Sequence, residues 1–280
     1  MRTSTVAIAL VVLLSGCSAF TGGSEPTQTL TPADAPATTS YPPGIDASGV
    51  VSPDALADAH GERDDNVSYT LVSNRTVTYE NGSIRSELRT RIALAVNRSY
   101  LTTISTAGPE GPVLLGRPPA AATYWSDGET YARQFTRDGT TTYNTFSPPD
   151  QYTGTWQFWA RTVAFGGRSG YAGQTIRRTF TAIPTTLEGR EATANTTLYR
   201  LTGTDATSTD FAAPEIDTVE NLTFDAVVDR DGLVRRIHYR FDGRIDGTPV
   251  QVERTIAYRN VGNTTVGKPA WLSRARNASQ

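Results

Sequence analysis

The sequence predicts a mainly β fold of the α+β kind: one large curved antiparallel sheet, a half-barrel meander, with a few helices covering its apolar face. Three observations predict it. Segments that alternate apolar and polar residues with a period of two recur along the chain. Asn-Gly or Asp-Gly pairs that favour tight hairpins separate them, at Asn81-Gly82, Asp127-Gly128, Asp138-Gly139, Asp231-Gly232 and Asp246-Gly247. No strand–helix–strand alternation occurs, so no parallel sheet is expected.

The folded part is expected to begin near Val50 with a short helix. Ser52 suits an N-cap, Pro53 the first helical position and Asp54 the positive helix end, with Ala55 to Arg63 following. From Ser68 the period becomes two. Tyr69, Leu71, Val77 and Tyr79 share one face of a strand over Tyr69 to Tyr79, and Thr70, Asn74, Thr76 and Thr78 share the other. After the Asn81-Gly82 turn, Ile84, Leu88, Ile92, Leu94 and Val96 alternate with Arg85, Glu87, Arg89 and Arg91, the pattern of a strand with one wet face. A strand with Tyr131 and Phe135 lies between the next two turns. Trp156, Trp159 and Val163 fall at i, i+3 and i+7, on one face of a helix, and a second helix is expected from Tyr171 to about Phe180. Strands resume around Thr181 to Glu188 and Thr196 to Gly203. Three final strands carry Leu222, Phe224, Ala226 and Val228, then Leu233, Ile237, Tyr239 and Phe241, then Val250, Val252, Ile256 and Tyr258. The apolar sheet face needs a cover, and the helical middle supplies it.

The N-terminus says where the chain resides. Arg2 precedes an unbroken apolar run from Val6 to Leu14, and Leu14-Ser15-Gly16-Cys17 follows. Nine apolar residues are too few to span a bilayer, which takes about 20. Residues 1–16 therefore read as a secretory signal peptide. The small residues before Cys17 resemble a lipobox, so Cys17 is the expected lipid attachment site. It is the only cysteine, so it has no disulfide partner. Residues 17–49, with the anchor at their start, are rich in Thr, Ser, Pro, Ala and Gly and read as a disordered tether. Residues 50–273 form the single domain and 274–280 a polar tail. The expected location is the outer face of the cytoplasmic membrane.

Formal net charge is −2, with 26 Lys and Arg against 28 Asp and Glu, so there is no basic field for nucleic acid. Lys268 is the only lysine. The arginine-for-lysine bias and abundant threonine resemble secreted haloarchaeal proteins.

The strand pair around Val228-Asp229-Arg230-Asp231-Gly232-Leu233 is similar to the strand, acidic-Gly turn, strand of the lipoprotein-carrier fold, that of LolA-like carriers and the mycobacterial LppX and LprG lipoproteins. Tyr124-Trp125-Ser126-Asp127-Gly128, Tyr152-Thr153-Gly154-Thr155-Trp156 and Val266-Gly267-Lys268-Pro269-Ala270-Trp271-Leu272 resemble a group of haloarchaeal lipoproteins of unknown function. The carrier resemblance implies a concave sheet face that, with its helices, encloses an apolar cavity for acyl chains. A fold resemblance alone does not transfer that activity.

Catalysis finds little support. The two histidines, His60 and His238, are far apart in sequence, and both read as surface residues. There is no Gly-x-Ser-x-Gly elbow, no Cys/His cluster for zinc and no phosphate-cradling glycine loop. Asp229-x-Asp231-Gly232 reads as a hairpin turn rather than a calcium loop. No enzyme and no cofactor are expected. Asn66, Asn74, Asn81, Asn97, Asn195, Asn221, Asn263 and Asn277 open Asn-x-Ser/Thr triplets, candidate glycan acceptors in an exported chain. Two function classes remain. One is an anchored lipoprotein that binds a lipid or other apolar ligand in a cleft lined by Leu88, Ile92, Trp125, Trp156 and Trp159. The other is a non-catalytic surface structural or interaction glycoprotein whose apolar face is simply core. A gap of a few hundred Å³, on the order expected of ligand sites, separates the first from the second.

Overall fold

The computed structural model describes residues 40–147, 155–165 and 172–279. Residues 1–39, with the signal peptide and Cys17, lie outside the described residues, as do 148–154 and 166–171.

Helix α1 spans Pro53–Asp64. The Ser52 hydroxyl caps it by accepting from the Ala55 amide at 3.3 Å. Six strands follow: β1 (Tyr69–Tyr79), β2 (Ile84–Leu94), β3 (Tyr100–Ala107), β4 (Ala121–Ser126), β5 (Tyr131–Arg137) and β6 (Thr140–Phe146). A π-helical turn (Phe158–Val163) and α2 (Ala172–Ala182) come next, then β7 (Thr186–Ala192), β8 (Thr197–Gly203), β9 (Thr218–Asp229), β10 (Val234–Ile245) and β11 (Thr248–Arg259). Helix α3 (Leu272–Ala278) closes the chain.

All eleven strands form one open, curved antiparallel sheet in the order β6-β5-β4-β3-β2-β1-β11-β10-β9-β8-β7. The chain meanders outward from β1 to the β6 edge. It starts again at the opposite edge with β7 and returns to pair β11 with β1. Between β6 and β7 lie the π-helical turn and α2, whose Trp159, Val163, Ile176 and Phe180 belong to the main core. Leu56 and Ala57 of α1 join the same core. The sheet contributes every second residue, among them Leu71 and Val77 of β1, Ile92 and Leu94 of β2, Ile237 and Phe241 of β10, and Val252 and Ile256 of β11. The sheet alternation and the covering helices are thus as the sequence predicts.

Several boundaries differ. The fold starts earlier than Val50: Ile45 is buried and forms a β-bridge with Val50, so 40–49 belong to the domain and not to the tether. It also ends later. Residues 274–278 of the expected polar tail are the body of α3, with Ala275 fully enclosed. Strand β2 stops at Leu94, so Val96 stands in a turn, 71 % exposed, and the Ile84 end is open as well. Helix α2 continues to Ala182, which delays β7 to Thr186. Strands β3 and β6 lacked a sequence signal. On β3 the core-facing positions include Thr102 and Thr106, which are buried yet polar and so hide the alternation.

Candidate functional site

The concave face is the side of the sheet that α1, the π-helical turn and α2 cover, whereas α3 lies on the other side. Four of the five predicted cleft residues reach it. Ile92 is fully buried there, and Leu88, on the same face of β2, is half-buried. Trp159 is sealed against Tyr124, with ring centroids 4.5 Å apart, and touches Phe158 at 4.8 Å. Trp156 sits at the rim between the Arg98 and Arg161 guanidinium groups, 4.9 and 5.1 Å from its ring, a doubly cation-paired aromatic.

Trp125 is the exception. It packs with Ala132, Leu272 and Ala275 on the opposite face, under α3. The reason is the strict alternation of a strand: Tyr124 already occupies the concave side, so its neighbour must face out. Four cavities of about 420 to 660 Å³ are outlined by described residues, and none touches Leu88, Ile92, Trp156 or Trp159. The one between α1 and α2 is lined by charged groups, including Asp58, Glu62, Arg161 and Arg177.

The concave face is nevertheless unevenly closed. Towards β8–β10 its residues Leu201, Ala226 and Ile237 are buried. Towards β2, β4 and β5, Leu88, Tyr124, Tyr131 and Phe135 turn to the same core but are only partly covered. Between the two regions a polar patch interrupts the apolar core of β1 and β11. Arg75 of β1 lies directly across from Arg254 of β11, and Tyr239 of β10 is across from Arg254 on the other side. Arg75 donates to Glu215 at 2.7 Å; Glu215 sits in the β8–β9 loop, whose Phe211 packs on Tyr239. Arg254 donates to the Ala164 carbonyl at 2.6 Å, and the Ser73 hydroxyl donates to the same oxygen at 2.5 Å. Burial pushes the Tyr239 phenol up, against the pull of the Arg254 and Arg75 charges. Burial opposes ionisation of Glu215, but the Arg75 hydrogen bond and charge outweigh it and hold its carboxyl below the usual range.

Sequence reasoning passed over these arginines, although a signal existed. The apolar alternation of β1 skips Arg75 and that of β11 skips Arg254.

His60 is a correction too. It is fully buried, not at the surface. Its Nδ1 accepts from the Val234 amide at 3.1 Å, and its Nε2 lies 3.4 Å from the Tyr258 hydroxyl. Burial, helped by the Arg161 charge, pushes its pKa down to about 3, so it is neutral at physiological pH. It is an acceptor in the core. His238 lies on the outer face, 3.1 Å from an Asp225 oxygen and 3.3 Å from one of Glu253. The two histidines share no site. Among the described residues no group of three or more His, Cys, Asp and Glu side chains converges to hold a metal. Asp229 accepts from the Asp231 and Leu233 amides at 3.1 and 3.0 Å, the bonding of a turn.

Seven of the eight candidate acceptor asparagines are exposed; Asn74 is half-buried, its side-chain oxygen enclosed. Among the described residues no helix is long and apolar enough to cross a membrane.

Three solved structures align with much of the chain at low similarity. LprF from Mycobacterium bovis is 12 % identical with a TM-score of 0.38, over 78 % of this chain and 97 % of that one. A DUF1329 family protein from Desulfovibrio piger is 11 % identical with a TM-score of 0.22, over 80 % and 97 %. A Vibrio parahaemolyticus domain assigned to outer-membrane lipoprotein sorting is 8 % identical with a TM-score of 0.25, over 82 % and 100 %. Likenesses of this size transfer no ligand and no activity. No curated protein matches the sequence. One family model does, over residues 2–275, and on that match the chain belongs to DUF7537, a family of unknown function.

Proposed function

We propose that the chain is an extracytoplasmic lipoprotein, anchored through Cys17, that binds a lipid or other apolar ligand on its concave sheet face and performs no catalysis. The cavities outlined above do not border the predicted cleft, so the ligand reading is carried instead by the half-covered end of that face. Leu88, Tyr124, Tyr131 and Phe135 turn towards the core yet keep part of their surface open. Apolar surface left accessible beside a core is a standing incentive for an apolar ligand, at about 25 cal/mol per Å² removed from water. The anchor rests on the short apolar run and Leu14-Ser15-Gly16-Cys17. The arginine bias, with Lys268 alone, supports a haloarchaeal source, and the exposed sequons fit an exported surface protein.

A second reading draws on the sealed packing of Ile92 and Trp159: a surface structural or interaction glycoprotein whose concave face is core alone. Mass spectrometry of the natively purified protein separates the two. The ligand reading predicts a lipid adduct on Cys17 together with a second, non-covalent lipid. Protein carrying only the Cys17 adduct after mild extraction would favour the second reading.

A further inference from the structure

Resting on the reading of the concave face as a ligand site, we infer that Arg75 and Arg254, with Tyr239, bind the anionic headgroup of an amphiphile, a carboxylate or phosphate, whose chain lies on the apolar positions beside them. The strand register puts Leu88, Arg75, Arg254, Tyr239 and Phe224 in one row across five strands. Two cations directly opposite each other repel and weaken a sheet unless something lies between them. Glu215 answers only one: it pairs with Arg75. Arg254 is 5 % exposed, and among the described residues no carboxylate pairs with it. A guanidinium does not shed its proton in a protein, so this charge persists and calls for an anion.

Holding the Ala164 carbonyl does not explain the charge. A neutral donor suffices for a carbonyl, and Ser73 already supplies one. The Tyr239 hydroxyl makes no hydrogen bond among the described residues, which leaves a third donor beside the guanidinium groups. Arg75 keeps 18 % of its side chain exposed, giving the headgroup a way in, and Leu88 beside it begins the half-covered apolar stretch where a chain would lie. Arg fits the oxyanion because its planar fork can donate two parallel bonds to carboxylate or phosphate.

The test is calorimetric titration of the full chain with dodecanoate, dodecyl phosphate, dodecan-1-ol and inorganic phosphate, for wild type, Arg254→Gln and Arg75→Gln. Thermal melting of each protein controls for folding. Gln at 254 retains a donor for the Ala164 carbonyl; should that variant fail to fold, the more exposed Arg75→Gln carries the test alone. Charge-assisted bonds of the usual strength make the two anionic amphiphiles bind about ten- to a hundredfold tighter than the alcohol. The variants should lose most of that preference and keep their affinity for the alcohol. Equal binding of alcohol and anions by the wild type, or a preference that survives both substitutions, overturns the headgroup assignment. Inorganic phosphate binding as tightly as dodecyl phosphate overturns the amphiphile in favour of a free anion. Absence of binding by all three chains overturns the apolar-ligand reading and the headgroup site with it.

Discussion

His60 gives the fold a specific acid sensitivity. In the folded chain its pKa lies near 3, against an ordinary value of 6.5. Between those values the unfolded chain binds a proton that the folded chain refuses. Stability from this group is therefore fully present above about pH 6.5 and drains away as pH falls towards 3. Each pH unit carries about 1.4 kcal/mol, so the whole span is worth about 5 kcal/mol, a large share of the 5–15 kcal/mol typical of a domain. His60 is fully enclosed, so solvent screening does not reduce the effect. Neighbouring Asp64 works in the opposite sense. Burial raises its carboxyl, against hydrogen bonds from Tyr69 and Tyr258 and the Arg161 charge, so its contribution grows as pH falls. The assay therefore compares wild type with His60→Asn, whose side-chain oxygen can still accept from the Val234 amide. Urea unfolding at a series of pH values between 7 and 4 should show the wild type losing roughly 3 kcal/mol more than the variant. Parallel stability curves for the two proteins would refute the buried neutral histidine.

Three further outcomes are expected. Ile92→Asp places a charge at a fully buried concave position and should cost several kcal/mol in urea unfolding, whereas Arg91→Asp, exposed next door, should change stability by less than about 0.5 kcal/mol. Trp125→Ala should cost about 3–5 kcal/mol through the α3 contacts, yet leave uptake of an acyl probe unchanged because the residue faces away from the concave side. Cys17→Ser should move the protein from the membrane fraction to the soluble fraction or arrest its maturation; unchanged membrane association would exclude Cys17 as the anchor.

What the sequence revealed depended on how loudly each side chain speaks. β1, β2 and β9–β11 were legible because aliphatic and aromatic residues alternate between Asn-Gly or Asp-Gly turns, and each glycine there adopts the positive φ such a turn demands, as Gly82 and Gly232 do at +80° and +89°. β3 was silent because Thr102 and Thr106 are buried yet look polar in a sequence. α3 was silent because its buried face is only Leu272 and Ala275, too small an apolar signal beside Ser273, Arg274, Arg276 and Asn277. α1 shows no clear apolar stripe, so nothing marked His60 as enclosed. Trp125 was misplaced because two adjacent aromatics, Tyr124 and Trp125, cannot share a strand face, and composition does not say which turns inward. The arginine pair was legible in principle. An arginine at a position where alternation demands an apolar residue is a buried charge in prospect, and Arg75 and Arg254 are both such positions.

The proposed binder receives an apolar chain on the concave face at β2, β4 and β5. Photolabelling the full chain with a diazirine-bearing acyl probe, followed by peptide mass spectrometry, tests it most directly. Saturable labelling is expected of the peptides carrying Leu88, Tyr124 and Phe135, suppressed by excess unlabelled dodecanoate. Labelling confined to the outer face around Trp271 to Ala278, or labelling that never saturates, would contradict it.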